Sequence, residues 1–196
     1  MGGFLLLKYL CIYDIIIAMK ISVEKIFQFH RLRTQTHIDC LNYYAGLLGY
    51  HFPEHDNDKN HDTICTGYAY YNWAKYHPEY TMSPAHRELF ELAKHEHHTH
   101  QPHHVWYYEN TADIDDVTMI EIICDWHSAS FEQRFITHED PLDYDVRTFF
   151  EKNMMINPKL HWTTHQIELI NSTIDFLEMY AEHDTILKIW LPLLDY

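Results

Sequence analysis

The sequence predicts an all-α fold, a single-domain helical bundle, from its length, its composition and its hydrophobic periodicity. One hydrophobic core is the usual arrangement for a chain of 196 residues. The chain holds only 5 glycines and 7 prolines, fewer than a loop-rich or all-β protein normally contains. Apolar residues, 46% of the total, recur mainly with the spacing of a helix face. No internal repeat or low-complexity linker divides the chain.

The apolar N-terminal segment, residues 1–19, is set apart from the helical domain. Lys8 and Asp14 interrupt it, and its apolar stretch is too short to cross a bilayer. It also lacks a convincing small-residue cleavage site of the kind that follows a signal peptide. We interpret the segment as a core helix. The alternative is that Met19 is the true start of the protein.

The helical domain is expected over residues 20–185, followed by a C-terminal tail at 186–196. Its first helix is predicted from Ser22 to Leu48, and Gly49 is a typical C-terminal stop. One face of this helix carries Val23, Ile26, His30, His37, Leu41, Tyr44 and Leu48. His37 is therefore expected to point into the core.

A second clear helix start is predicted at Ser83–Pro84, because serine caps helices and proline suits the first helical position. Pro102 is expected to end this helix. The inward face carries His86, Phe90, Ala93 and His97. The remaining histidines of the helix, expected to face solvent, are His95, His98 and His100.

A group of acidic residues predicts another helix start, because negative charge stabilises a helix N-terminus. The group follows Thr111 and comprises Asp113, Asp115 and Asp116. Glu121 and Asp125 lie four residues apart and therefore share one face of this helix. Further helical stretches are expected near 68–80, 146–155 and 163–181, with a break at Asp140–Pro141.

The charge balance argues against nucleic-acid backbones and membranes as partners. The chain has 29 acidic and 14 basic residues, a formal charge of -15, which repels phosphate backbones and anionic lipid. A small anionic substrate stays compatible with this charge if a metal ion supplies positive charge locally. The 4 cysteines form no C-x-x-C motif, so we expect a reducing compartment and a cytoplasmic location.

A carboxylate in apolar surroundings and an unusual number of histidines indicate a metal site. Asp125 interrupts the apolar stretch Val117–Trp126, and a buried charge needs a charged partner or a metal ion. The chain has 18 histidines, including the pair His55–Asp56 and a dense cluster at 95–104. Imidazole nitrogens and carboxylate oxygens are typical ligands of Zn, Fe or Mn.

Each of these features has a structural alternative. Asp125 could form an ion pair with Arg134 or Arg147 instead of binding a metal ion. His37 could be a hydrogen-bonded core histidine, and His55–Asp56 could cap a helix from a loop. The cluster at 95–104 could be a solvated tract that binds metal adventitiously.

The order of these residues resembles the HD-domain superfamily of metal-dependent phosphohydrolases, which are all-helical and carry their ligands in the order His, His-Asp, Asp. It is more closely similar to a small uncharacterised HD-like family of bacteria and phages. The pattern of that family reads His, then His-Asp-x-Ser-Lys, then His-x-x-x-Asn-x-His-His, then Glu-x-x-Cys-Asp-Trp. The corresponding segments, spread over about residues 25–180, are His37, His55–Lys59, His97–His104 and Glu121–Trp126.

The resemblance implies a fold of the HD-domain type and a site for a divalent metal ion, which could be Mn, Fe, Zn or Mg. The implied ligands are His37, His55, Asp56, His97, His103, His104 and Asp125, with the choice between His103 and His104 open. Glu121 is the candidate for proton transfer or for orienting a ligand. Asp58 and Gln101 replace the Ser and Asn of the family pattern, which affects contacts around the ligands more than the ligands themselves.

The leading hypothesis is a metal-dependent hydrolase that acts on a nucleotide or another small phosphoester at a mononuclear or dinuclear site. In a dinuclear site, Asp56 would bridge the ions, and Lys59 would meet a phosphate oxygen as a point charge. A di-iron oxygenase that uses the same ligands is the enzymatic alternative. The non-enzymatic alternative is a helical interaction protein whose metal site is structural or vestigial.

Overall fold

The computed structural model describes residues 22–138, 145–194 and 196, so the N-terminal segment and the break expected at Asp140–Pro141 lie outside the described residues. Within these ranges the chain forms seven α-helices and no β-strand, which confirms the all-α class. The helices are α1 (Val23–Leu47), α2 (Asp62–Tyr76), α3 (Pro84–His100), α4 (Asp116–Phe131), α5 (Val146–Phe149), α6 (Thr164–Tyr180) and α7 (His183–Leu194). None of the described helices is long and apolar enough to cross a membrane.

Short turns of other helical types connect or extend these helices. Three of them are 3₁₀ turns, at Asn57–Asn60, Val105–Tyr107 and Thr111–Asp113. Helices α4 and α5 each continue as a π-helical turn, at Glu132–Ile136 and Phe150–Met154 respectively. The helix expected near 146–155 therefore corresponds to α5 together with its π-helical turn.

Local side-chain chemistry fixes several helix ends where the sequence predicts them. The Ser22 hydroxyl accepts a hydrogen bond from the Lys25 amide at 3.1 Å and caps α1. Ser83 caps α3 in the same way, with Pro84 in the first helical position. Gly49 follows α1 with a φ of 82°, a left-handed conformation that glycine adopts without steric cost.

Two helices start at positions that differ from the prediction. Helix α2 begins at Asp62, before the aromatic stretch, and ends at Tyr76 because His77 precedes Pro78. The acidic group before α4 forms two starts instead of one. Asn110 caps the 3₁₀ turn at Thr111–Asp113, and Asp115 then caps α4 by accepting hydrogen bonds from two backbone amides.

The segment expected as a C-terminal tail contains most of helix α7, which packs against α1. Ile186, Trp190 and Leu193 are buried in the main hydrophobic core. Their spacing of four and three residues places them on one helix face, so this part of the chain contributes to the core of the domain.

Helix α1 is the centre of the bundle, because it packs against α2, α4 and α7, while α3 packs mainly on α2 and α6 on α4. The contact between α2 and α3 depends on Gly67. A Cβ atom at this position would lie 2.6 Å from the Cβ of Ala93 and 2.6 Å from the carbonyl oxygen of Leu89. Glycine therefore permits the close approach that holds α3, and His97 one turn beyond Ala93, beside the inner face of α2.

Candidate metal centre

The centre of the site is Asp56, which lies in the loop between α1 and α2 and is 1% exposed. Its backbone has a φ of 58°, a left-handed conformation that is uncommon for residues other than glycine and that recurs at functional sites. The carboxylate is surrounded by four imidazoles, which belong to the neighbouring residue, to α1, to α3 and to the segment after α3. Its oxygens lie 3.2 Å from His97 Nε2, 3.5 Å from His103 Nε2, 3.7 Å from His37 Nε2 and 3.8 Å from His55 Nε2.

Helices α1 and α4 contribute the second carboxylate and one of these imidazoles. His37 faces inward, and its Nε2 atom lies 2.9 Å from Asp125 Oδ1. Asp125 Oδ1 is also 3.8 Å from His55 Nε2. The side chain of Asp125 is partly buried rather than fully enclosed, with 14% of its surface exposed. His37, His55, Asp56 and Asp125 therefore converge, as the order of the sequence segments predicts.

Carboxylates hold two of the imidazoles in a fixed orientation. Asp58 Oδ2 lies 2.7 Å from His97 Nδ1, and Glu121 Oε1 lies 2.9 Å from His55 Nδ1. An ionised carboxylate only accepts hydrogen bonds, so each Nδ1 carries the proton and donates it. The Nε2 atoms of His55 and His97 then point toward Asp56, which is the arrangement in which a histidine binds a metal ion.

His37 is held by a hydroxyl group instead. Ser128 Oγ lies 3.0 Å from His37 Nδ1 and 3.2 Å from the backbone carbonyl oxygen of His37. The hydroxyl can donate to Nδ1, or it can accept from Nδ1 while it donates to the carbonyl group. In the second arrangement the lone pair of His37 Nε2 is available to a metal ion.

A separate pair of buried side chains holds the turn that follows Asp56. His30 Nε2 donates a hydrogen bond of 2.8 Å to the carbonyl oxygen of Lys59, and Asn72 Nδ2 donates one of 2.9 Å to His30 Nδ1. Both side chains are buried. Burial lowers the pKa of His30 to about 4, so the ring is neutral and keeps this tautomer. The contact fixes the backbone that presents Asp56 and Asp58 to the histidines.

Burial and neighbouring charges shift the pKa values of the central groups. Burial opposes ionisation of Asp56, but Lys59 and His55 outweigh this effect and hold the pKa of Asp56 well below its usual value. For His55, burial favours the neutral ring, but the negative charges of Asp56 and Asp125 and the hydrogen bond to Glu121 raise its pKa to about 10. Without a metal ion, a proton on His55 thus provides positive charge among the carboxylates.

Two other histidines of the cluster, His103 and His104, are neutral and can offer a lone pair. Burial lowers the pKa of His103 and holds that of His104 well below its usual value. A neutral imidazole keeps a lone pair that can bind a metal ion. His104 Nε2 lies 2.8 Å from His97 Nε2. His103 and His104, between which the sequence leaves the choice open, therefore both belong to the cluster.

Several buried atoms of the cluster have no hydrogen-bond partner in the part of the chain that the structure describes. They are His55 Nε2, Asp56 Oδ1 and His103 Nε2. A buried polar atom without a partner costs about 1–3 kcal/mol. Two ligands that are each about 2.1 Å from one ion are themselves about 3.0–3.5 Å apart. The separations of 3.2–3.8 Å around Asp56 are close to this range, so the residues fit a metal ion.

The donor atoms divide into overlapping groups, and the atoms of each group lie close enough to one another to bind one ion. Asp56, His97, His103 and His104 offer atoms within 4.8 Å of one another, and so do His37, His55 and Asp125. A third combination consists of His55, His103 and Glu121. Because Asp56 also contacts His37 and His55, the cluster is compatible with one ion or with two.

The predicted catalytic side chains lie at the edge of this cluster. Glu121 Oε1 contacts His55 and lies 3.8 Å from His103 Nδ1, and 17% of the side chain is exposed. Lys59 is buried, with Nζ 2.7 Å from Asp56 Oδ2 and 4.9 Å from the ring centroid of Tyr68. The structure therefore places both near the candidate ligands, and their catalytic roles stay predictions.

Reasoning from the sequence missed some contacts and misplaced one side chain. Ser128 lies three residues after Asp125 on α4, a spacing that could have revealed its position. No local pattern reveals the contacts of Asp58 and Asn72, because their partners come from distant elements. His98 is half-buried, with its ring 4.3 Å from that of His104, whereas His95 and His100 are exposed as expected.

Asp125 is in contact with histidines and not with the arginines that were considered as its alternative partners. Its polar contacts run to His37 and His55, whereas Arg147 Nη2 lies 2.6 Å from Asp175 Oδ1 on α6. Asp125 therefore belongs to the histidine cluster in this structure.

Comparison with known proteins gives a family but no described function. No curated protein and no solved structure matches this chain. One family model matches residues 26–181, a range that includes α1 from Ile26 onward, α2 to α6 and all of the candidate ligands. The chain therefore belongs to the family described as "Family of unknown function (DUF5662)".

Proposed function

We propose that the cluster around Asp56 binds one or two divalent metal ions and that the protein is a metal-dependent hydrolase of a small phosphoester. The observation that carries the proposal is the convergence of buried donor atoms without partners among the described residues, namely His55 Nε2, Asp56 Oδ1 and His103 Nε2. The helical fold and the ligand order also support a relation to the HD-domain phosphohydrolases.

The donor set favours some ions over others. One ion would be held by His37, His55, Asp56 and Asp125, and a second by Asp56 with His97 and His103 or His104. Mg²⁺ prefers oxygen ligands and retains water, whereas Zn, Fe and Mn accept imidazole readily. We therefore expect one of the latter three ions.

The chain's own residues supply the remaining parts of a hydrolytic site. A bound divalent ion lowers the pKa of a coordinated water and stabilises negative charge on a phosphoryl oxygen. Glu121 holds the proton on His55 Nδ1 with one oxygen, and its partly exposed carboxylate can accept a proton from the attacking water. Lys59 offsets the charge of Asp56 and would have to leave it to reach a phosphate oxygen.

Elemental analysis of protein purified without a histidine tag tests the first half of the proposal. We expect about one or two equivalents of Zn, Fe or Mn in the wild type and a clear loss in Asp125→Ala. The matched control is Asp175→Ala, which removes an exposed aspartate on α6. Equal metal content in wild type and Asp125→Ala would contradict the assignment of the site.

Activity of the metal-loaded protein tests the second half. Suitable substrates are a generic phosphodiester, a generic phosphomonoester and a panel of nucleotides, with release of product as the measurement. A metal-loaded wild type that hydrolyses none of them would overturn the hydrolase proposal. Visible absorption from iron, together with consumption of oxygen, would replace it with the oxygenase alternative.

A further inference from the structure

We propose that the substrate of this site carries a cationic group, such as a primary amine, which binds in a cavity beside the metal centre. This inference rests on the proposed function, because it assumes that the phosphoryl group of the substrate lies at the candidate metal ligands. It adds the chemical class of the rest of the substrate and names Glu54 as a specificity-determining residue.

The cavity lies at the outer side of the candidate ligands and has a volume of about 260 Å³. Its inner end is formed by His55, His103 and Glu121, which belong to the cluster described above. The remaining lining residues come from the loops that follow α1 and α3, and they are His51, Phe52, Pro53, Glu54, Gln101 and Pro102. A molecule in this cavity would therefore contact the metal centre at one end and these two loops at the other.

The wall of the cavity is held in place by α1. Asn42 accepts a hydrogen bond of 2.6 Å from the amide of Phe52 and donates one of 3.2 Å to its carbonyl oxygen. Glu54 in turn accepts a hydrogen bond from the side chain of Asn57. These contacts give the loop a defined shape, which is a requirement for selective binding.

The charges of the cavity point to a cationic ligand. Glu54 and Glu121 are its charged carboxylic side chains, and its lining, all of it in the described part of the chain, contains no lysine or arginine. Lys59 is buried against Asp56 and does not line the cavity, and His55, which does line it, directs its Nδ1 proton at Glu121. A second anionic group on the substrate would face these carboxylates, whereas an ammonium group would be attracted to them.

The size of the cavity favours a small substrate. Pockets for drug-sized ligands occupy about 300–1,000 Å³, so a cavity of about 260 Å³ lies just below that range. Phe52, Pro53 and Pro102 give it short apolar walls. A short aminoalkyl chain fits this combination of apolar walls and carboxylates better than a nucleoside with additional phosphates.

Titration calorimetry with three matched phosphomonoesters tests the proposal. Ethyl phosphate, phosphoethanolamine and phosphoglycolate share the phosphate and a two-carbon chain, and they end in a methyl, an ammonium and a carboxylate group. With metal-loaded protein at about pH 8, where amines are charged and free histidines are neutral, we expect phosphoethanolamine to bind most tightly and phosphoglycolate least. The expected difference between neighbours in this order is about three- to fivefold, as for a partly exposed ion pair.

Variants of Glu54 assign the preference to this residue. Glu54→Gln should lower the ratio of the phosphoethanolamine affinity to the ethyl phosphate affinity by about threefold. Glu54→Lys should invert the order, so that phosphoglycolate binds more tightly than phosphoethanolamine. Glu168→Gln, which removes an exposed carboxylate on α6 outside the cavity, should keep the wild-type order.

The possible failures are distinguishable. If all three esters bind but the ammonium group gives no advantage, or if Glu54→Lys keeps the wild-type order, the cationic-substrate proposal is wrong and the hydrolase proposal stands. If the metal-loaded protein binds none of the three esters, the cationic-substrate proposal is wrong, and the assays with the phosphodiester and the nucleotides decide the hydrolase proposal. If the protein binds no metal ion, the site itself is wrongly assigned.

Discussion

Two buried polar clusters contact α1 at positions one helical turn apart, Arg33 and His37, and they differ in how completely they are paired. In the first, Glu132 accepts hydrogen bonds from Arg33 Nε at 2.9 Å and from the Tyr76 hydroxyl at 2.7 Å, and it also pairs with Arg33 Nη2. Lys75 Nζ lies 3.4 Å away. The second cluster is the group of histidines and carboxylates around Asp56. We call the group of Arg33, Lys75, Tyr76 and Glu132 the closed cluster, and the group around Asp56 the open cluster.

Among the described residues, no buried side-chain atom of the closed cluster lacks a hydrogen-bond partner altogether. The atoms of Arg33, Lys75 and Glu132 are absent from the buried polar atoms that lack partners within the described ranges, whereas His55 Nε2, Asp56 Oδ1 and His103 Nε2 are among them. Arg33 and Lys75 together more than neutralise Glu132. Around Asp56 the carboxylates outnumber the cations, and the pKa of Asp56 and of Asp125 is nevertheless held low. The cluster around Glu132 therefore closes on itself, as expected for a structural ion cluster, whereas the candidate ligands around Asp56 keep buried donors directed at one point.

The largest effect is expected from opening the closed cluster. Glu132→Ala leaves Arg33 and Lys75 buried without their common partner, which should lower the free energy of unfolding by about 3–5 kcal/mol. Urea unfolding of wild type and variant, each with excess chelator, measures this loss independently of any bound metal ion. Glu168→Ala on the exposed face of α6 is the control and should change stability by less than about 0.5 kcal/mol. A loss below about 1 kcal/mol in Glu132→Ala would show that the cluster is not a structural requirement.

The next effect comes from emptying the open cluster. A bound ion stabilises only the folded state, so a chelator should lower the melting temperature of the wild type. The corresponding loss in the free energy of unfolding is about 2.7 kcal/mol when free metal is at about 100 times its Kd. Asp125→Ala should lower the melting temperature by itself and should abolish the response to chelator. Glu132→Ala is the matched comparison, because it should keep the full response. A wild type that melts at the same temperature with and without chelator would contradict a tightly bound ion.

The third prediction separates catalysis from metal binding within the open cluster. Glu121→Gln removes the carboxylate that can accept a proton, but the amide oxygen can still accept the hydrogen bond from His55 Nδ1. Metal content and melting temperature should therefore stay close to wild type, while turnover of a phosphoester falls by about 10² or more. Equal turnover in the variant and the wild type would leave Glu121 with an orienting role only.

These clusters also show how far the sequence determines the structure. Signals that depend on neighbours in the chain are informative: they predict the serine caps of α1 and α3 and the inward face that carries His37. The grouping of the distant segments around Asp56 and Asp125 follows instead from the resemblance to the HD-like family. The pairing of His97 with Asp58 was not foreseen, because it joins residues 39 positions apart, and the same holds for His30 and Asn72 at 42 positions. Such pairs depend on how the loops pack, and helical periodicity carries no information about that packing.

A fourth prediction concerns the carboxylate that orients His97. Asp58→Asn removes the charge that fixes the proton on His97 Nδ1, while it keeps a side chain of the same size at a hydrogen-bonding distance. Loss of such an orienting partner typically weakens metal affinity about 10- to 100-fold. Competition with a chromogenic chelator measures the affinity, and Glu168→Gln on the exposed face of α6 is the control. An affinity within about twofold of wild type would indicate that His97 needs no carboxylate to bind the ion.

The smallest effect is a difference in the acid dependence of stability, and it returns to the closed cluster. Burial opposes ionisation of Glu132, but Arg33 and Lys75 hold the pKa of this carboxyl far below its usual value of about 4.5. Below about pH 4.5 the unfolded chain therefore binds a proton that the folded protein does not. Stability from Glu132 is complete above that pH and is lost as the pH falls toward the lowered pKa.

Glu132→Gln cannot take up this proton, so its stability should fall less steeply with decreasing pH than that of the wild type. The difference in slope should approach about 1.36 kcal/mol per pH unit, the value for one proton. Urea unfolding between about pH 4.5 and 3, in the presence of chelator, measures both slopes. The other acidic groups, Asp56 and Asp125 included, are common to the two proteins, so the difference isolates Glu132. Parallel slopes would mean that Glu132 titrates in the folded protein as it does in the unfolded chain, and the closed cluster would then owe its stability to packing rather than to charge.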